Sequence, residues 1–145
     1  MKLFLDTANL AEIRQAAAWG VIDGVTTNPS LAAREEEEFT VILPQICDLV
    51  DGPISAEVIA QDYAGIIKED RQMAGLHDNV VIKIPVTPEG LQAVKNLIME
   101  GVKAKVTLGI SSNQALLGAR ARAAYVSPFL GGLDGIGYKL SLLHT

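Results

Sequence analysis

Six short apolar, β-prone segments recur along the chain, at about Leu3 to Asp6, Gly24 to Thr27, Ile54 to Val58, Val80 to Ile84, Lys103 to Leu108 and Ala124 to Ser127. Stretches with helical patterning separate most of them. A tight turn can join antiparallel strands, whereas parallel strands need a crossover of a dozen or more residues. The alternation therefore predicts an α/β fold with a parallel sheet. The chain has 145 residues, of which 49% are apolar, enough for one domain with a real core. No low-complexity linker and no sequence repeat interrupts the series.

Local signals mark the helices. Asn9 followed by Glu12 has the spacing of a capping box ahead of Ile13 and Ala16, and Thr87-Pro88-Glu89 sets an N-cap with proline at the first helical position. The helix after Pro88 carries Leu91, Val94, Leu97 and Ile98 and is expected to stop at Gly101. A further start falls at Ser111-Ser112-Asn113, before Ala115, Leu116 and Ala119. The run Glu35 to Glu38 reads as a solvated helix entry, with a metal site as the alternative. Trp19 beside Gly20 is expected to pack at a helix end. Cys47, the single cysteine, falls in the pattern Phe39, Ile42, Leu43, Ile46, Leu49, Val50 and reads as a packed core thiol, which leaves no disulfide framework.

Charge narrows the partners. Net charge is −5 and the 12 lysines and arginines are scattered without forming a stripe, which argues against nucleic acid. The apolar opening of the chain is too short for a signal peptide, and no other run approaches membrane-spanning length, so a soluble cytoplasmic protein without membrane contact is expected.

In parallel α/β folds functional groups collect at the carboxyl ends of strands. Here Asp6 ends the first segment, Thr27-Asn28 the second and Glu57 the third; Lys83 lies near the end of the fourth, and Thr107 and Ser127 end the fifth and sixth. Lys83 is the most informative, because it interrupts the apolar run Val80-Val81-Ile82-Lys83-Ile84-Pro85-Val86. An ammonium held in apolar surroundings loses its proton more readily and becomes a nucleophile toward carbonyl groups. The competing reading is a strand-end lysine whose stem packs while its amine reaches water. Asp6-Thr7 and Asn28-Pro29-Ser30 likewise read as turn chemistry, and Glu57 as an exposed strand residue.

Taken together, Asp, Glu and a buried Lys supply both proton transfer and covalent catalysis. A neutral amine attacks a ketone, loss of water gives a protonated imine, and that cation accepts electrons while a carbon–carbon bond breaks. Asn, Thr and Ser suit substrate hydroxyls.

Phe4-Leu5-Asp6-Thr7-Ala8-Asn9, Gly24-Val25-Thr26-Thr27-Asn28-Pro29-Ser30, Ser55-Ala56-Glu57-Val58, Val81-Ile82-Lys83-Ile84-Pro85-Val86-Thr87 and Tyr125-Val126-Ser127-Pro128-Phe129 follow one another at a spacing that resembles the small microbial transaldolases, relatives of fructose-6-phosphate aldolase and (β/α)8 barrels of the TIM type. The resemblance runs from Met1 to about Gly137. It implies that Lys83 forms a Schiff base with the donor ketose and that Asp6 is the general acid/base. It further implies that Glu57 and Thr107 hold a proton-relaying water, and that Asn28 and Ser127, with Thr27 and Phe129 beside them, bind the dihydroxyacetone unit. The implied reaction moves that unit from sedoheptulose 7-phosphate to glyceraldehyde 3-phosphate, with no metal and no cofactor. Glu57 and Phe129 resemble the transaldolases, whereas the sister aldolases carry Gln and Tyr there.

Three features depart from the family pattern. Lys105 stands where asparagine is usual, a second cation that would either depress Lys83's proton affinity or block the donor site. Gly132 stands where an arginine binds phosphate, and Gly131-Gly132 offers at most a backbone nest. A complete barrel of this type needs at least about 200 residues, so the chain is expected to hold about six of eight β/α units over residues 1–137, truncated at its C-terminus, with a divergent tail over 138–145. Open strand edges then predict a homo-oligomer. A non-catalytic barrel fragment, or an aldolase acting as a lyase, remain as alternatives. His77 and His144 are expected at the surface.

Overall fold

The computed structural model of the protein describes residues 2–109 and 111–128. Its strands are β1 (Phe4–Asp6), β2 (Gly24–Thr26), β3 (Ile54–Glu57), β4 (Val80–Pro85), β5 (Ala104–Gly109) and β6 (Tyr125–Pro128). Its helices are α1 (Leu10–Ala18), α2 (Pro29–Ala32), α3 (Phe39–Leu49), α4 (Tyr63–Ala74), α5 (Pro88–Met99) and α6 (Ser112–Arg120). The six strands lie in the order β1-β2-β3-β4-β5-β6, with β1–β2, β2–β3 and β5–β6 pairing in parallel. Each strand takes the place beside its predecessor in sequence. That succession belongs to the (β/α)8 barrel type, since a doubly wound sheet reverses its order partway. The fold is therefore α/β, a partial (β/α)8 barrel, and all six predicted strands are present.

The described residues form two compact units. One comprises the chain up to Ile59 together with Lys68–Ile82; the other comprises Ala60–Ile67 together with the chain from Lys83 on. In the first, α1 buries Ile13 and Ala16, and α3 buries Ile42, Leu43, Ile46 and Cys47, the 3- and 4-residue spacings that put side chains on one helical face. Val25, Ile54 and Ala56 complete this core. In the second, α5 buries Ala93, Val94 and Leu97 beside Ile84, Ala104 and Val106.

The caps show how closely local chemistry is obeyed. Asn9 Oδ1 accepts the backbone N–H groups of Ala11 and Glu12, both at 3.1 Å. The reciprocal half of the box is diverted. Glu12 accepts Thr7 Oγ1–H at 2.7 Å, and the Asn9 N–H donates to the same Thr7 oxygen. Thr87 caps α5 with Pro88 at the first position, and Gly101 follows that helix at φ 83°. Ser111 and Gln114 make both halves of a capping box on α6. The acidic run enters α3 as expected, with Glu38 as its N-cap residue but no side-chain capping bond.

Two readings need adjustment. Trp19 is 65% exposed: it ends α1 through its backbone, and Gly20 at φ 67° turns the chain away, so no packing partner is required. His77 is half-buried rather than superficial, because its Nδ1 accepts the Asn79 N–H in the turn leading to β4. Cys47 is buried as predicted, and burial, reinforced by the charge of Asp48, pushes its thiol up to about 11. Phe129, Gly131, Gly132, His144 and the segment 138–145 lie outside the described residues.

Candidate functional site

In the first unit, strand register assembles a polar row. Asp6 pairs with Thr26, and Thr26 pairs with Ser55. Paired residues of parallel strands present their side chains on the same face, and residues two apart along a strand return to it. Asp6, Thr26 and Ser55 thus share a face, with Glu57 two residues further along β3 and the extended Asn28 two residues beyond Thr26. The opposite face carries Val25, Ile54 and Ala56, all 0% exposed.

Within that row, Thr26 Oγ1 donates to Asp6 Oδ1 at 2.6 Å, a short bond to an exposed carboxylate. It fixes one carboxylate oxygen and leaves the other available. Asn28 Oδ1 caps α2 by accepting the Leu31 N–H at 3.0 Å, which orients the amide and frees its NH2 for a ligand. A cavity of about 350 Å³ is lined by Asn28, Glu57, Phe39 and Ile59 together with Glu36 and Glu38. Its wall is anionic and, among the described residues, includes no lysine or arginine, so it suits uncharged hydroxyls better than a phosphate. Thr27 differs from its neighbours: it lies on the apolar face, 0% exposed, and its Oγ1 donates to the Ser55 carbonyl at 2.8 Å. That bond ties β2 to β3.

In the second unit, the helices identify the faces of the strands. A Cβ on Gly90 would lie 2.1 Å from the Pro85 carbonyl oxygen and 3.0 Å from Ile84 Cγ2, so α5 packs on the Ile84 side of β4. One on Gly118 would lie 3.2 Å from Val106 Cβ, so α6 packs on the Val106 side of β5. By alternation, Lys83, Lys105 and Thr107 occupy the face away from these helices. Lys83 is half-buried there, between Ile82 and Ile84, which are fully buried along the same strand. Thr107 is 3% exposed, and its carbonyl accepts the Val86 N–H at 3.0 Å, joining the end of β4 to β5.

Beyond Thr107 the ladder is irregular. Lys105 pairs with Tyr125 and Val106 with Val126, but the next pair is Gly109 with Pro128, so β5 holds one residue more than β6 over this stretch. The extra residue falls at Thr107-Leu108, and Leu108 sits at φ 57°, a conformation that a branched side chain rarely adopts. Bulges and strained residues of this kind re-aim side chains where strands end. Ser127 lies opposite, half-buried, on the face of Lys105 and Tyr125.

The family model for Transaldolase/Fructose-6-phosphate aldolase matches residues 3–143. The chain belongs to that family. It is 60% identical over 136 residues to a probable transaldolase of Kosmotoga olearia, covering 94% of this chain and 62% of the relative. Probable transaldolases of Caldicellulosiruptor saccharolyticus and Clostridium botulinum (strain Hall) are 59% and 58% identical over 137 residues, with 94% of this chain and 63% of each relative covered. The chain thus spans somewhat under two thirds of the length of these curated relatives.

For this transaldolase/fructose-6-phosphate aldolase chain, each unit carries its own set of polar residues: Asp6, Asn28 and Glu57 share one face in the first, and Lys83, Thr107 and Ser127 share one in the second. Sequence reading passed over Thr26 and Ser55, which join the row only through inter-strand register. It also passed over Asp70. This carboxyl is 0% exposed on α4 and neither oxygen has a hydrogen-bond partner among the described residues; burial, with the charge of Glu69 adding to it, pushes its pKa up to about 7. The available signal was its place in the apolar stripe Ile66, Ile67, Met73. Among the described residues no group of three or more His, Cys, Asp or Glu is placed to hold a metal ion, and no helix is long and apolar enough to cross a membrane.

Proposed function

We propose that Lys83 is the Schiff-base residue of a transaldolase-type reaction that moves a dihydroxyacetone unit from a ketose phosphate, such as sedoheptulose 7-phosphate, to glyceraldehyde 3-phosphate. The observation that carries the reading is a lysine half-buried in a strand whose neighbours Ile82 and Ile84 are fully buried, on the face that the helices leave uncovered. The neutral amine adds to the donor ketone, and the carbinolamine loses water to give an iminium. Asp6 takes the proton of the hydroxyl beside the scissile bond. The carbon–carbon bond breaks, its electrons pass to the iminium to form an enamine, and an aldehyde leaves. Attack of the enamine on the acceptor aldehyde, with return of the proton, rebuilds the bond, and water then hydrolyses the new iminium to restore the amine.

Two observations support the assignment of the other groups. The Thr26 hydroxyl holds one oxygen of Asp6, which orients the carboxylate for proton transfer. The anionic cavity beside Asn28 and Glu57 favours the uncharged hydroxyl end of the sugar and disfavours its phosphate. With sugar phosphates as substrates, we place the protein in the cytoplasm.

Borohydride reduction in the presence of fructose 6-phosphate, followed by mass mapping, tests the reading. A dihydroxyacetone-derived adduct on Lys83, lost in Lys83→Met, is the expected result. A folded protein with no adduct at Lys83 refutes it. An adduct at Lys83 accompanied by release of free dihydroxyacetone, without transfer to glyceraldehyde 3-phosphate, identifies lyase rather than transferase chemistry.

A further inference from the structure

Among the described residues, three helices end with a residue in the left-handed conformation, and two of them use glycine there: Gly20 after α1 at φ 67° and Gly101 after α5 at φ 83°. The third is Arg122 after α6, also at φ 67°. The turn is a complete Schellman motif, in which the Arg122 N–H donates to the Ala119 carbonyl and the Ala123 N–H to the Gly118 carbonyl. Glycine adopts this conformation without steric cost and arginine does not, so the backbone gives no reason for an arginine at this position.

The surroundings supply one. Arg122 lines a cavity of about 350 Å³ with Lys95, Ile98 and Met99 of α5 and Arg120 and Ala121 at the end of α6. Three cations stand around a floor of apolar side chains, and among the described residues no carboxylate lines the space. None of the three cationic side chains has a hydrogen-bond or ion-pair partner among the described residues. Gathering like charges is unfavourable unless something neutralises them, and the terminal carbonyls of α6 account for part of that through the helix dipole. Lys95 lies a full turn before the end of α5, beyond the region where a dipole acts most strongly.

The geometry points to a second ligand site between α5 and α6, which takes a small anion, phosphate or carboxylate, attached to an apolar body. The guanidinium groups of Arg120 and Arg122 fork onto the anion, Lys95 adds a point charge, and Ile98 and Met99, the latter 72% exposed, cover the apolar part. The cavity volume matches that of small-molecule sites. The site uses none of the groups assigned to the Schiff-base reaction and stands whether or not that reading holds.

Calorimetric titration of the full chain with phenyl phosphate, inorganic phosphate and phenol tests it. Phenyl phosphate should bind at least ten-fold more tightly than either of the others, and with a salt-dependent affinity. Arg122→Gly should weaken phenyl phosphate at least ten-fold while raising or preserving the melting temperature, since glycine suits the turn; Lys95→Gln should weaken it without changing the fold. Equal affinity in Arg122→Gly, in Lys95→Gln and in the parent chain would overturn the proposal. So would the absence of binding at millimolar phenyl phosphate, or equal binding of phenol.

Discussion

Replacing Asp70 with alanine should stabilise the protein at neutral and alkaline pH and leave it little changed in acid. The carboxyl is completely buried on α4, both oxygens lack partners, and burial, with Glu69 in second place, raises its pKa from 3.8 to about 7. Below pH 4 the group is protonated in folded and unfolded chains alike and contributes no pH dependence. Between about 4 and 7 the unfolded chain releases the proton while the folded chain retains it, so stability falls as pH rises; above 7 both are ionised and the loss is complete. At about 1.36 kcal/mol per pKa unit this separation corresponds to roughly 4 kcal/mol, and water entering the folded state on ionisation reduces it to about 2–4 kcal/mol. Alanine removes the charge, improves helix propensity and leaves a small void, which sets the gain at pH 8 at about 2 kcal/mol. Urea unfolding followed by circular dichroism at pH 5, 6, 7 and 8 measures it. The expected curves converge near pH 5 and separate progressively toward pH 8. Parent and Asp70→Ala curves that run parallel across that range would refute the reasoning.

Other expectations follow from single contacts. Cys47, buried and with its thiol raised to about 11, should resist an aromatic disulfide reagent in the native state and react fully in denaturant; rapid native labelling would contradict its packing. Gly90→Ala should destabilise by about 2 kcal/mol despite the better helix propensity of alanine, since the new methyl would lie 2.1 Å from the Pro85 oxygen, and chemical denaturation measures the loss. Thr26→Val removes the hydrogen bond to Asp6 and should change stability by no more than about 1 kcal/mol. If Asp6 moves the proton, the same variant lowers kcat about ten-fold or more without abolishing the Lys83 adduct under borohydride.

Much of this fold is legible from short-range chemistry. Thr87-Pro88, Ser111-Ser112-Asn113 and Gly101 mark helix ends because capping is settled within four residues of chain, and the structure places the ends there. Strand segments are equally readable, with each boundary moved by one residue at most. Glu12 shows where such reading stops: its spacing fits a capping box, but Thr7 competes for its carboxylate and wins at 2.7 Å. Trp19 shows the same limit, since nothing in a helix-end pattern says whether a neighbour is present to cover the ring.

The residue types at the strand ends, and the lysine inside an apolar strand, belong to the sequence alone, because alternation along a strand is a local property. Which strand-end groups share a face and touch was decided by pairing between segments far apart in the chain. Only register brings Thr26 to Asp6 across twenty residues, turns Thr27 inward onto the Ser55 carbonyl, and inserts the extra residue that strains Leu108 opposite Ser127. Burial is decided in the same way. A carboxylate at position 70 looks ordinary in one dimension, and becomes an unpartnered buried acid only when packing closes over the face of α4 that carries it.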